Sequence, residues 1–114
     1  GRPGEVAAMS AADCYDGYLA LIPEGVPNQV AARIAATLMT FRPVTEAHKV
    51  NCPALIQICE KDTVAPVAAA EKAAKKMKRA EVRRYEMGHF DIYQGADRAK
   101  SLADQLAFLK RAIG

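Results

Sequence analysis

A short apolar run, Ala54-Leu55-Ile56-Gln57-Ile58-Cys59, most limits what this chain can fold into. Pro53 leads into it, and the polar residues Glu60-Lys61-Asp62-Thr63 follow at once. A nearly continuous apolar run of this length, bounded by turn formers, suits a strand buried on both faces of a parallel sheet. A parallel neighbour needs a crossover connection, usually a helix, and the next segment can supply one. Residues 66–79 are alanine-rich, with Val67, Ala70, Ala74 and Met77 on one helical face and lysines on the other. Pro66 falls where the first turn of a helix tolerates proline, because an N–H there has no intrahelical partner. Residues 81–86 read as a weaker strand carried by Val82 and Tyr85, and Met87-Gly88-His89-Phe90 reads as a turn. A last helix is expected from about Asp97, with Leu102, Leu106, Leu109 and Ile113 recurring at helical spacing. Strand, helix, strand, helix predicts an α/β fold class, with parallel strands joined by a right-handed crossover.

The first half of the chain has no convincing strand. Residues 28–41 place Val30, Ile34, Leu38 and Phe41 on one helical stripe, with Asn28 as N-cap and Pro43 as the stop. Residues 11–22 suit another helix, ended by the turn residues Pro23-Glu24-Gly25. The expected division is therefore a helical segment over 1–45 and an α/β portion over 46–114.

Composition narrows the function classes. Of 114 residues, 51% are hydrophobic and 25% charged, which is the balance of a folded globular chain. No apolar stretch approaches the roughly 20 residues that span a bilayer, and residues 1–5 lack the basic-then-apolar order of a secretory leader. No membrane partner is expected. The net charge of +3 is concentrated in Lys72, Lys75, Lys76, Lys78, Arg79, Arg83 and Arg84. That run lacks the interleaved aromatic residues of a nucleic-acid surface, so no nucleic-acid partner is expected and a solvated helix face explains it. Cys14, Cys52 and Cys59 have no metal-ligand spacing. They are expected as reduced, buried thiols in a cytoplasmic protein, with no metal or organic cofactor.

Two residues stand where parallel sheets carry their chemistry, at the carboxyl ends of strands. Asp62 lies three residues beyond the first apolar run, and His89 three residues beyond residue 86. If the strands are parallel neighbours, both side chains emerge at one rim and come within hydrogen-bonding reach. Such a pair fixes the imidazole tautomer and stabilises the imidazolium formed in proton transfer. Gly88 permits close backbone approach just before the histidine. The plainer readings are that Asp62 or Thr63 caps the following helix, and that His89 is an ordinary loop histidine.

These segments resemble the C-terminal portion of the α/β-hydrolase superfamily. Residues 52–62 (CPALIQICEKD) with the following TVAP look like the strand and turn holding that family's triad acid, and 85–93 (YEMGHFDIY) like the segment with its triad histidine. The final ADQLAFLKRAI is similar to the helix that closes the fold, and the helices before residue 40 look like part of a lid. The resemblance implies Asp62 as the orienting acid and His89 as general base and then general acid of a serine hydrolase acting on a small-molecule ester or amide. Phe90, with Ile92 and Tyr93, becomes a candidate lining for an apolar substrate pocket; packing in the core is the ordinary role for such residues.

The departure from the family is large. Its Gly-x-Ser-x-Gly nucleophile elbow is expected upstream of the acid and histidine. Here Ser10 lacks flanking glycines and Ser101 follows His89 in the chain. The glycine-rich oxyanion loop is also missing. The nucleophile-bearing half lies outside this sequence, so the isolated chain is expected to have no turnover. Two parallel strands would also leave an open sheet edge, from which homo-oligomerisation is expected. The alternative is a non-catalytic α/β interaction domain that keeps the fold elements without the chemistry.

Overall fold

The computed structural model describes residues 2, 5–38 and 40–114. It separates into two units, Gly1–Arg42 and Pro43–Gly114. The first unit holds two short helices, α1 (Cys14–Leu19) and α2 (Ile34–Leu38). Between them Val26 N–H donates to Pro23 O at 3.3 Å, and Gly25 takes a φ of +82°, which closes the expected turn with a residue that has no Cβ to clash.

Helix α2 is much shorter than the helix predicted over 28–41; of that span, Met39 lies outside the described residues, as do Gly1, Pro3 and Gly4 of residues 1–5. Asn28 caps nothing, since the helix begins six residues later. The physical reason is the fate of the stripe. Val30, Ile34, Leu38 and Phe41 are 54%, 42%, 53% and 66% exposed. A short helix draws most of its stability from burying such a stripe, and this one stays largely exposed.

The second unit is α/β. Strand β1 (Ala54–Cys59) runs parallel to β2 (Ala80–Tyr85), with Ala54 opposite Ala80 and Cys59 opposite Tyr85. Helix α3 (Val67–Lys76) connects them, and α4 (Gly95–Ile113) follows. Two 3₁₀ turns, Pro43–Thr45 and Ala47–Lys49, pack beside α3. The second strand begins one residue earlier than predicted. The crossover helix ends at Lys76, short of the predicted residue 79, because Met77 takes an extended backbone and leads into Ala80 opposite Ala54. Pro66 is the N-cap of α3 rather than a first-turn residue.

The core is small: Ala47, Ile58, Cys59, Ala74, Tyr85, Met87, Phe90 and Phe108 are its buried apolar members in this unit. Only Ile58 and Cys59 of β1 are fully buried, whereas Ala54 to Gln57 are half-covered. The expectation of a strand buried on both faces is corrected accordingly, since two strands present too little surface for two full layers. Helix α4 brings a second correction. It forms, but Leu102, Leu106, Leu109 and Ile113 are 43%, 51%, 46% and 82% exposed, while Ser101 and Phe108 are buried on the other face.

That inner face is tied to the sheet by polar groups. Gln57 Nε2 donates to Tyr85 Oη at 2.8 Å and to Ser101 O at 3.0 Å, and Gln57 Oε1 accepts from Gln105 Nε2 at 2.6 Å. Tyr85 Oη in turn donates to Asp104 Oδ2 at 2.6 Å. Every polar atom of the Gln57 carboxamide is thereby satisfied, as a half-buried amide between sheet and helix requires. Ion pairs join the rim of the unit: Arg84 meets both Glu60 and Glu71, and Arg111 meets Glu81 at 2.8 Å. Cys14, Cys52 and Cys59 are free thiols. Cys52 is exposed, contrary to the sequence expectation, because it lies in the lead-in to Pro53 and not in the strand. Among the described residues no helix is long and apolar enough to cross a membrane.

Candidate active site

The parallel register carries the chain past both strand ends at the same rim. The ladder continues beyond them: Glu60 N–H donates to Tyr85 O at 2.8 Å and Lys61 N–H to Met87 O at 3.1 Å. Two loops that diverge in sequence are thus held side by side, the first presenting Asp62 and the second His89. The carboxylate Oδ2 of Asp62 and Nδ1 of His89 are 2.8 Å apart.

The two oxygens of Asp62 have different tasks. Oδ1 accepts from the backbone N–H groups of Val64 at 2.8 Å and Ala65 at 2.7 Å, which folds the loop around the carboxylate. Oδ2 is left to face the imidazole. Asp62 does not cap α3, whose N-cap is Pro66 with no side-chain hydrogen bond. Desolvation works against its ionisation, but hydrogen bonds from Ala65 N–H, His89 and Val64 N–H outweigh it and hold the carboxyl below its ordinary value.

An ionised carboxylate can only accept. The shared proton therefore sits on His89 Nδ1, and in the neutral ring Nε2 is the basic nitrogen. The His89 side chain is 27% exposed and that of Asp62 12%, so the acid is covered while the imidazole still reaches solvent. The arrangement can take a proton at Nε2 and stabilise the resulting cation at Nδ1.

A pH dependence follows from the Asp62 shift. A carboxyl whose folded-state pKa lies below the unfolded value contributes stability that is complete above the unfolded value and is lost as pH falls through the folded one. Urea unfolding of the parent and Asp62→Asn chains should therefore differ most near neutral pH, with the gap closing as pH falls below the ordinary carboxyl range and through the lowered folded-state value. A gap that stays constant over that range would show that the carboxylate is not held ionised by its partners.

Phe90 is 6% exposed, and its ring meets that of His89 edge-on at 4.9 Å between centroids. It buttresses the imidazole from the core side. Ile92 packs against Cys59, Tyr85 and Met87, while Tyr93 is 57% exposed. Ser101 Oγ donates to the carbonyls of Ile92 at 3.2 Å and Arg98 at 3.0 Å and is buried in α4, so it is committed to the backbone. The Cys59 thiol is pushed up, by burial first and then by the negative charges of Asp62, Asp91 and Asp97. A thiol so held is a poor nucleophile.

Sequence reasoning missed how the histidine turn is fastened. Gly88 N–H donates to Asp91 Oδ2 at 2.7 Å. An acidic residue three places after a glycine in a turn is a recognisable signal for such a bond.

The sequence is 38% identical over 112 residues to the quorum-quenching protein AidA of Acinetobacter baumannii (strain MDR-ZJ06). The match covers 96% of this chain and 37% of that protein's length, so the chain spans little more than a third of its relative. No protein-family model matches the sequence, and no solved structure gives a significant match.

Proposed function

We propose that this chain is the C-terminal part of an α/β-hydrolase-type serine hydrolase, contributing the orienting acid Asp62 and the base His89. The observation that carries the reading is the Asp62–His89 hydrogen bond of 2.8 Å, made by a carboxylate whose other oxygen is already occupied by two backbone N–H groups. In the complete polypeptide, His89 Nε2 takes the proton from a serine hydroxyl as its oxygen attacks an ester or amide carbonyl carbon. Asp62 stabilises the imidazolium, which then gives the proton to the departing alcohol or amine as the carbonyl–heteroatom bond breaks. A water repeats the cycle to release the acid.

The nucleophile and the oxyanion donors belong to the part of the polypeptide that precedes this chain. The 37% coverage of the relative supports a larger whole. The exposed Leu102, Leu106 and Leu109 on α4 suit a further layer of structure packed on that helix. From the relative's name we carry over quorum quenching as the role of the whole protein. A cytoplasmic location accords with the three free thiols.

The test is covalent. The complete polypeptide should react with a serine-directed fluorophosphonate at one upstream serine and hydrolyse activated short-chain esters, and the 114-residue chain should do neither. Equal turnover by the isolated chain, or an unlabelled complete polypeptide that is nonetheless folded, removes the reading.

The isolated chain should also self-associate through β1. Its sequence, ALIQIC, puts no charge on the strand, whereas β2 carries Glu81, Arg83 and Arg84. Charged side chains are what keep strand edges from pairing. Light scattering at micromolar concentration should give a dimer or larger species, and a clean monomer contradicts it.

A further inference from the structure

We infer that Asp91 is a positioning residue: its carboxylate, bonded to the Gly88 N–H, fixes the backbone on which His89 is mounted and so sets the imidazole against Asp62. The inference rests on the hydrolase reading for its meaning, but the geometry that carries it is independent of turnover. His89 has no regular structure to hold it, because it follows β2 by four residues and precedes the 3₁₀ turn Asp91–Tyr93. Its two chain neighbours are fixed instead. Phe90 on one side is anchored by burial at 6% exposure. Gly88 on the other is held by Asp91 Oδ2 at 2.7 Å.

The glycine is part of the same device. A Cβ at position 88 would lie 3.1 Å from Asp91 Oδ2 and 3.9 Å from Lys61 O. A Cβ there would crowd the carboxylate, which would have to give way by a few tenths of an ångström. One residue earlier, Met87 O accepts from Lys61 N–H, so the histidine turn is tied on one side to the acid's loop and on the other to Asp91. A catalytic hydrogen bond needs its partners held to about half an ångström, and a histidine fixed at both neighbours meets that need without further secondary structure. Asp91 itself is exposed, so its removal leaves no buried cavity.

The experiment uses ¹⁵N-labelled protein in a His48→Gln background, which leaves His89 as the single histidine, and reads its ring nitrogens by NMR at pH 8 to 9. The parent should show one protonated Nδ1 with an exchange-protected proton. Asp91→Ala should lose that protected proton and shift toward the averaged tautomers of a free imidazole, with the far-UV spectrum unchanged. Asp91→Asn, whose amide oxygen still accepts from Gly88, should retain the parent signature. Gly88→Ala, which crowds the same bond from the other end, should behave like Asp91→Ala. Retention of the parent signature in Asp91→Ala, or its loss in Asp91→Asn, overturns the inference. Should both alanine variants fail to fold, the Gly88 amide of the parent decides: slow exchange supports the bond, and exchange at the rate of an unstructured glycine overturns it. Because no step is catalytic, a failure here is separable from absence of serine labelling in the complete polypeptide.

Discussion

Asp62→Asn in the complete polypeptide should lower kcat for an activated ester by about 10⁴-fold while leaving the fold in place. The direction follows from how the carboxylate is used. Val64 and Ala65 both point backbone N–H groups at Oδ1, so an asparagine must offer them its oxygen. Its amide NH₂ is then the group facing His89 Nδ1. A donor there requires a bare Nδ1, which moves the ring proton to Nε2, the atom that accepts the serine proton in the proposed reaction. The substitution therefore keeps the shape and inverts the tautomer. His89→Ala removes the base altogether and should cost about 10⁴ to 10⁶-fold in kcat. KM should change little in either variant, since neither side chain is asked to bind substrate. If Asp62→Asn keeps more than a tenth of parental kcat, Asp62 is not the orienting acid.

The second large effect concerns stability. Ile58→Ala should destabilise the chain by about 2–5 kcal/mol, from lost transfer energy and the cavity left behind. Ile58 is 2% exposed at the end of β1. Domains commonly have only about 5–15 kcal/mol in total, and a two-stranded sheet begins near the bottom of that range. The expected result is a chain left with at most about 3 kcal/mol, seen as a urea midpoint well below that of the parent. Leu106→Ala provides the contrast. At 51% exposure it should change the isolated chain by about 0.5 kcal/mol or less. In the complete polypeptide the same substitution should cost several times more if α4 is covered there. Equal urea midpoints for Ile58→Ala and its parent would mean that the core is not centred on β1.

These expectations separate what could be read from the residues from what could not. The run at 54–59, the alanine-rich crossover and the positions of Asp62 and His89 are local signals that fix element type and spacing, and parallel pairing then brings the two side chains to one rim. The stripes at 28–41 and 102–113 are equally regular, yet both face solvent. Periodicity reports that a face could be buried; it cannot report that a covering surface is at hand. In α4 the inner face is chosen by hydrogen bonds among Gln57, Tyr85, Ser101, Asp104 and Gln105, which have no periodic signature. The Gly88–Asp91 bond did leave a local trace, an acid three places after a glycine in a turn, but a trace that says nothing of which atoms meet.

The hydrogen bonds that run past the ends of β1 and β2 make the connecting segment dispensable for alignment. Glu60 and Lys61 lock onto Tyr85 and Met87 directly, so the distance from acid to base does not depend on how many residues separate the strands. The exposed turn residue Lys78, just before Arg79 O accepts from Ala54 N–H at 3.0 Å, is therefore a natural place to splice in a peptide tag or reporter domain. Doubling a flexible connection costs only about 0.6 kcal/mol. A one-residue insertion between Cys59 and Asp62, by contrast, should throw the carboxylate off its partner.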